Sequence, residues 1–253
     1  MENKPRFRSI KAELRRQSMP AVWLRVMKRW AATRPKGSVA IMTARRATSS
    51  DRGSTDAPAD DVTSQTSRLW VDAPLRWRYE FDGPEGSTAV FVRDGPLWWS
   101  YAPGSNAWSN ESAPDRYPAQ TEHQESQLFH PEHVLAALTV TSAHPEEREG
   151  RSIEVIEGVA REDHVPPLPP GADSYHLVVD REREVVLRLA ARAEGLEFSS
   201  VEITSLELDV PLDRSMFRIE LPAGIAFTPP PSHMPRPTLL RRVLGRLRLG
   251  PRY

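Results

Sequence analysis

The stretch Leu75-Arg76-Trp77-Arg78-Tyr79-Glu80-Phe81 decides the fold, because apolar and charged side chains alternate along its whole length. Alternation with a period of two places the two sets of side chains on opposite faces, which predicts a β-strand with one buried face. Two more strands are predicted over 87–93 and 97–101, since Gly83–Gly86 and Asp94-Gly95 supply turn residues between them. The three strands form an antiparallel meander.

Strand patterns continue on both sides of this meander. Turn-forming residues over 50–61 separate two of the upstream strands, and Pro131 at the first position of 130–138 predicts a short helix. The remaining strands are predicted over 38–49, 62–71, 151–161, 174–180, 185–193 and 197–209, and residues 211–221 are expected to close the sheet. The sequence therefore predicts a domain dominated by one antiparallel sheet.

The segment before this sheet has a helical pattern. Apolar residues recur at three- and four-residue steps over 7–33, with a break at Ser18 and Pro20. Basic residues lie between the apolar ones, so this basic helical segment either contacts a membrane or nucleic acid, or packs on the body with its basic face in water. For 19–33 we favour packing, because Trp23 and Trp30 are large and need burial.

The formal net charge of zero hides three unlike regions. Residues 1–36 hold eleven Lys or Arg and two acids, residues 232–253 hold six Arg and no acid, and residues 37–231 hold 17 basic and 32 acidic residues. The chain is thus an acidic body with two basic ends, and charge asymmetry of this kind indicates contact with an anionic surface or self-association.

The second basic end has an amphipathic pattern. A proline-rich linker is predicted over 227–237, and over 238–253 the residues Leu240, Val243, Leu244 and Leu247 fall on one helical face. Helices shorter than about 12–15 residues are marginal alone in water, so this segment needs a surface: an anionic membrane, the acidic body or a partner. The residues expected to contact an anionic surface are Arg241, Arg242, Arg246 and Arg248.

Several pieces in order resemble the LolA-like lipoprotein-carrier superfamily, which includes lipoprotein-sorting proteins and RseB-type regulators. They are Arg68–Arg78, Asp94–Pro103, the helix after His130-Pro131, Gly150-Arg151, Tyr175–Asp180 with Val186–Arg188, and Pro211–Asp213 with Phe217 and Pro222–Gly224. The resemblance covers about 37–226. It implies an α+β domain with a strongly curved antiparallel sheet, a half-open barrel with helices on its concave side, and a cavity that binds acyl chains or other hydrophobic groups without catalysis.

Aromatic residues are dense in the meander and are the candidates for lining such a cavity. They are Trp70, Trp77, Tyr79, Phe81, Phe91, Trp98, Trp99 and Tyr101. They could line a hydrophobic cavity or fill an ordinary barrel core, and the second interpretation is favoured for most of them. Adjacent residues of a strand point to opposite faces, so Trp98 and Trp99 should be on different sides of the sheet.

The histidines and the motif content favour neither a metal nor a reaction. His123, His130 and His133 lie near Glu122, Glu125 and Glu132 in sequence, but we expect His130 to precede the helix as its N-cap. Zinc sites need three or four converging ligands, so no metal and no cofactor is expected. Phosphate loops, nucleophile elbows and His-Glu-x-x-His pairs are missing from the sequence, so we expect no enzyme, and the acidic body argues against nucleic acid.

The expected function is binding of a hydrophobic small molecule or an acylated protein. The alternative is a regulatory or scaffold module that binds proteins and has a filled barrel core. No apolar stretch follows the basic residues of 1–6, so we expect no signal peptide and a cytoplasmic location, peripheral to the inner membrane if the basic ends bind lipid. The chain has no cysteine, which rules out disulfides and thiolate metal sites.

Overall fold

The computed structural model describes most of the predicted domain. The described residues are 7–32, 62–72, 75–83, 86–117, 119, 124–161 and 168–230. The predicted strand over 38–49, the turn over 50–61, most of the linker over 227–237 and the segment 238–253 lie outside them. The predicted division into 1–36, 37–226, 227–237 and 238–253 stays a prediction.

The described residues are mostly β-strand, with few helices. The strands are β1 Ser9–Ser18, β2 Thr63–Asp72, β3 Arg76–Asp82, β4 Thr88–Asp94, β5 Leu97–Tyr101, β6 Trp108–Ser109, β7 Leu138–Arg148, β8 Arg151–Ala160, β9 Ser174–Asp180, β10 Val185–Ala193 and β11 Leu196–Leu208. The helices are α1 Pro20–Ala32 and α2 Pro131–Ala136, with 3₁₀ turns at Gln124–Phe129 and Arg214–Phe217. No helix among the described residues is long and apolar enough to cross a membrane.

The strands form one sheet in the order β6-β5-β4-β3-β2-β1-β11-β10-β9-β8-β7. Neighbours such as β3 and β4, β4 and β5, and β9 and β10 pair antiparallel. The predicted antiparallel sheet with few helices, an α+β arrangement, is therefore confirmed.

The prediction of a helix over residues 7–17 is wrong, because Ser9–Ser18 is strand β1, between β2 and β11. Ile10, Ala12 and Leu14 are all buried, which is a period of two. The alternate residues face the other way, and two of them pair with the neighbouring strand: Lys11 with Glu207 at 2.5 Å and Arg15 with Glu202 at 2.5 Å. Ile10 and Leu14 are four residues apart and fit a helix or a strand, so only Ala12 tells the two apart.

The second predicted helix is confirmed as α1, and it is packed on the protein. Val22, Val26, Met27 and Trp30 are buried, and Trp23 packs on Met27 and Trp30. An apolar stripe at three- and four-residue spacing is what a helix needs in order to bury one face. Burial therefore accounts for the tryptophans of α1, as predicted for 19–33.

Two other stretches differ from prediction. Strand β7 was not predicted: after Leu138 nearly every residue is exposed, so no alternation marks it. Residues 211–221 do not form a strand, and they contain the 3₁₀ turn Arg214–Phe217, capped by the Asp213 carboxylate, which accepts from the Ser215 N–H at 2.8 Å. Phe217 is nevertheless fully buried, so this stretch packs against the sheet without joining it.

The chain divides into two compact units, each made of several stretches of sequence. The first unit contains residues 1–11, 68–123 and 207–253, and the second contains 12–67 and 124–206. The meander β3–β6 belongs to the first unit, and α1, α2 and β7–β10 belong to the second. The candidate residues therefore fall into two groups, one in each unit.

Candidate functional site

Strand register divides the candidate aromatic residues of the first unit between the two faces of its strands. Tyr79 lies opposite Phe91, and Arg93 opposite Trp98, whereas Trp99 lies opposite Val92. Since side chains alternate along a strand, these pairs define two sets. The aromatic face carries Trp77, Tyr79, Phe81, Phe91 and Trp98; the packed face carries Trp70, Trp99 and Tyr101. Trp98 and Trp99 point to opposite faces, as predicted.

The aromatic face has a buried part and an accessible part. Trp77 and Tyr79 are each 8% exposed, whereas Phe91 is 37% exposed and Phe81 is half-buried. The rings of Phe81 and Phe91 stack with centroids 6.0 Å apart, and Tyr79 lies 6.0 Å from Phe81 in a tilted arrangement. Such spacings are favourable for aromatic pairs. Tyr79, Phe81 and Phe91 therefore form one group of contacting rings, with its accessible edge at Phe91.

The Trp98 side chain on this face is fixed by hydrogen bonds. Its indole Nε1 donates to the Tyr117 carbonyl at 3.0 Å, and its backbone N–H donates to Asn110 Oδ1 at 2.8 Å. Asn110 is fully buried, and its Nδ2 donates to the carbonyls of Pro96 and Tyr117, each at 2.9 Å. In the sequence Asn110 stands out only as the first residue of a glycosylation sequon, so its role in positioning Trp98 was missed.

The packed face is filled by the chain after β11. Val92, Trp99 and Phe217 are buried together. Trp70, Leu97, Leu212, Met216, Ile219 and Phe227 pack around them. Arg78 holds the covering stretch in place, since its Nη1 donates to the carbonyls of Met216 at 2.8 Å and Arg218 at 3.0 Å. Trp70 and Trp99 therefore contribute to a packed core.

An ion-pair cluster borders that core. Arg76 Nε donates to Asp94 at 3.0 Å, and its Nη1 donates to Asp72 at 2.5 Å. The guanidinium also lies over the Phe217 ring, 5.6 Å from its centroid. The hydrogen bond to Asp94 is the main cause that raises the pKa of Arg76. Arg76 thus links the β2–β4 hairpins to Phe217.

The second unit contains a small cavity beside α1. Its volume is about 240 Å³, and it is lined by Trp30, Val159, Ala160, Arg161, Gly171, Ala172 and Tyr175. The Tyr175 hydroxyl donates to the Pro169 carbonyl at 2.6 Å, and burial raises the pKa of Tyr175 to about 12. Ligand pockets usually measure about 300–1,000 Å³, so this cavity is below the size of a whole acyl-ligand site.

Several described cations near the N-terminus pair with acidic residues of the same chain. Arg29 binds Asp173 at 2.9 Å and also Glu194 at 3.6 Å, and Arg16 pairs with the buried Glu125. These pairs hold Arg16 and Arg29 against carboxylates of the second unit. The other predicted surface-binding residues, Arg241, Arg242, Arg246 and Arg248, lie outside the described residues.

Three residues of the histidine and glutamate group, for which no metal was expected, lie close together in the structure. His130, Glu132 and His133 converge at the start of α2, whereas Glu125 is paired with Arg16 and takes no part. His130 occupies the N-cap position as predicted, but its side chain makes no capping hydrogen bond. Residues 122–123 lie outside the described residues.

Comparison with known proteins finds similarity in structure only. No protein-family model matches the sequence, and no curated protein is similar to it. An uncharacterized conserved protein from Thermus thermophilus is 10% identical, with 88% of this chain and 90% of that chain covered and a TM-score of 0.45. A LolA superfamily protein from Nitrosomonas europaea is 8% identical, with 86% and 93% covered and a TM-score of 0.32.

MucB in the MucA/MucB complex of Pseudomonas aeruginosa is a third similar structure. It is 12% identical, with 84% of this chain and 56% of that chain covered and a TM-score of 0.34. This chain therefore spans little more than half of MucB. The sequence resemblance to LolA-like and RseB-type proteins is confirmed in the sense that such proteins are among the similar structures.

Proposed function

We propose that this protein binds a hydrophobic group on the aromatic face, without catalysing a reaction. The observation that carries the proposal is the accessible edge of that face, where Phe91 is 37% exposed and stacks on the half-buried Phe81. Burying a fully exposed large apolar side chain is worth about 1.5–3 kcal/mol, so covering the exposed third of Phe91 is worth roughly 0.6–1.1 kcal/mol. The ligand would supply that burial as an acyl chain or another apolar group, free or attached to a protein.

The half-open barrel predicted from the sequence is part of this proposal, because a concave sheet would shield an acyl chain from water. The Trp98 indole donates to the Tyr117 carbonyl, and the Trp98 backbone N–H donates to Asn110, which supports a surface that is formed before ligand arrives. A preorganised surface binds more tightly because less side-chain freedom is lost on binding.

The experiment is titration of the full chain with a fluorescent fatty acid, followed by tryptophan emission. Phe91→Ser is expected to weaken binding about threefold to sixfold, since roughly 0.6–1.1 kcal/mol of apolar burial would be lost. The matched control is Ile225→Ser, which removes a side chain of similar exposure, 39%, from the segment after Phe217. Equal affinities for the two variants, or no change in wild-type emission at any ligand concentration, would contradict the proposal.

One observation favours the alternative of a regulatory or scaffold module. The packed face is already filled by Phe217 and its neighbours, as a filled barrel core requires. In that case the aromatic face would cover a partner protein, and the fatty-acid titration would show no binding.

We propose further that the protein acts in the cytoplasm, at the membrane surface, and that the basic segment 238–253 contacts anionic lipid. The support is a difference between the two ends. Described cations of the N-terminal end, including Lys11, Arg16 and Arg29, face carboxylates of the same chain, whereas 238–253 carries arginines and no acid. Each cation near an anionic membrane contributes about 1 kcal/mol.

Flotation with vesicles tests this second proposal independently of the first. The full chain should float with vesicles that contain phosphatidylglycerol, and a variant with Arg241, Arg242, Arg246 and Arg248 all replaced by glutamine should not. Flotation should weaken as salt rises, because salt screens exposed charges. Equal flotation of both proteins, insensitive to salt, would show that these arginines do not bind lipid.

A further inference from the structure

We propose that His130, Glu132 and His133 form a binding site for a divalent transition-metal ion, with Zn²⁺ as the best match. This inference goes beyond the proposed function, because it concerns the second unit and a different class of ligand. It also reverses the expectation drawn from the sequence, in which His130 was assigned to the helix start and too few ligands converged.

The donor atoms of the three residues already lie close together. One ligand atom from each lies within 4.8 Å of the others, and His130 Nδ1 is 3.2 Å from Glu132 Oε1. The two imidazole rings stack with centroids 5.2 Å apart and an angle of 24°. Zinc bonds to nitrogen and oxygen of about 2.0–2.2 Å place tetrahedral ligands roughly 3.3 Å apart. The His130–Glu132 pair is already at this separation. Rotation of the His133 side chain would bring its nitrogen to the same distance from the other two ligand atoms.

The backbone that carries these side chains is anchored on both sides. Phe129 is 1% exposed and Val134 is fully buried, so the intervening turn is attached to the core at each end. The His130 N–H donates to the Gln127 carbonyl at 3.0 Å, and the His133 N–H donates to the His130 carbonyl at 2.9 Å. The two histidines are therefore held three residues apart in sequence, with their rings in contact.

The donor set selects the kind of metal. Two imidazole nitrogens and one carboxylate oxygen suit Zn²⁺ and its neighbours, whereas Mg²⁺ and Ca²⁺ prefer oxygen ligands alone. Glu132 is exposed and the His130 side chain is 35% exposed, so an ion can enter from solvent. Water would complete the coordination, as in zinc sites with three protein ligands.

The test is calorimetric titration of the full chain with zinc chloride, together with the absorption spectrum of the Co²⁺-loaded protein. We expect one ion per chain. Removing a residue that hydrogen-bonds to a metal ligand lowers metal affinity about 10–100-fold. His133→Ala removes a ligand itself, so it should weaken zinc binding by at least about tenfold. Co²⁺ should give d–d absorption in the wild type that His133→Ala reduces.

The matched control is His144→Ala. His144 Nε2 lies 3.1 Å from Glu146 Oε1, so this exposed pair in the same unit resembles His130 and Glu132 but lies outside the group of three. The control should bind zinc as the wild type does. Glu132→Ala, a second exposed position, replaces His133→Ala if that variant fails to fold. The proposal is wrong if the wild type binds no zinc, or if the ligand variants and the control bind it equally.

Discussion

Replacing Phe217 with alanine is expected to lower the free energy of unfolding of the first unit by about 3–5 kcal/mol. Phe217 is fully buried among Val90, Val92 and Trp99, and the shorter side chain would leave a cavity in that core. It would also remove the ring that lies under the Arg76 guanidinium. Urea unfolding followed by tryptophan emission measures the change directly, because Trp70 and Trp99 belong to the same cluster.

The comparison variant for Phe217→Ala is Ile225→Ala. Ile225 belongs to the same covering stretch but is 39% exposed, so its loss should change stability by no more than about 0.5 kcal/mol. A loss below about 1 kcal/mol for Phe217→Ala would mean that this stretch does not fill the packed face. Phe217→Ala also bears on function, because it leaves a cavity in the packed face. If this variant binds an apolar probe more tightly than the wild type does, the filled-core alternative is supported.

Replacing Gly171 with alanine is expected to destabilise the second unit by about 2–5 kcal/mol. Gly171 has a φ of +78°, where a side chain costs about 1–2 kcal/mol. A Cβ there would also lie 2.9 Å from Trp30 Cβ and 3.0 Å from Val26 Cγ1, both on α1. Overpacking of this kind typically costs about 1–3 kcal/mol. The Trp30 Cβ is attached directly to the helix backbone, so it can move away only if α1 moves. Thermal unfolding followed by circular dichroism measures the sum.

Gly195→Ala separates the two contributions. Gly195 has the same φ of +78°, but a Cβ built there meets nothing within 4 Å. This variant should therefore show only the backbone cost, about 1–2 kcal/mol. The difference between the variants is the steric cost of the contact with α1. Equal losses of stability would mean that α1 is not packed against Gly171.

The parts of the fold that could be predicted are those where burial on one face imposes a pattern. Strands β9 and β10 begin and end at the predicted residues, and β3 follows the alternation over 75–81 to within one residue. The same reasoning placed Trp98 and Trp99 on opposite faces. Which of the two faces would be filled depends on Phe217, more than a hundred residues later in the chain, and no local pattern shows that.

The parts that could not be predicted lack a local pattern or share one with another structure. Strand β7 is exposed along most of its length, so its sequence carries no period. In β1 the spacing of Ile10 and Leu14 serves a helix as well as a strand, and pairing with β11 decides the outcome. The convergence of His130, Glu132 and His133 depends on side-chain rotation at the start of α2, which spacing alone does not fix.

The position of β1 in the sheet has a consequence for the order of events during synthesis. Its side-chain bonds to β11 join residues 187 to 196 positions apart, so the strand has no partner on that side until the ribosome has made most of the chain. At about 5–20 residues per second, that interval is about 10–40 s. For that time the backbone N–H and C=O groups on this edge of β1 are unpaired, which leaves the nascent strand open to pairing with another chain.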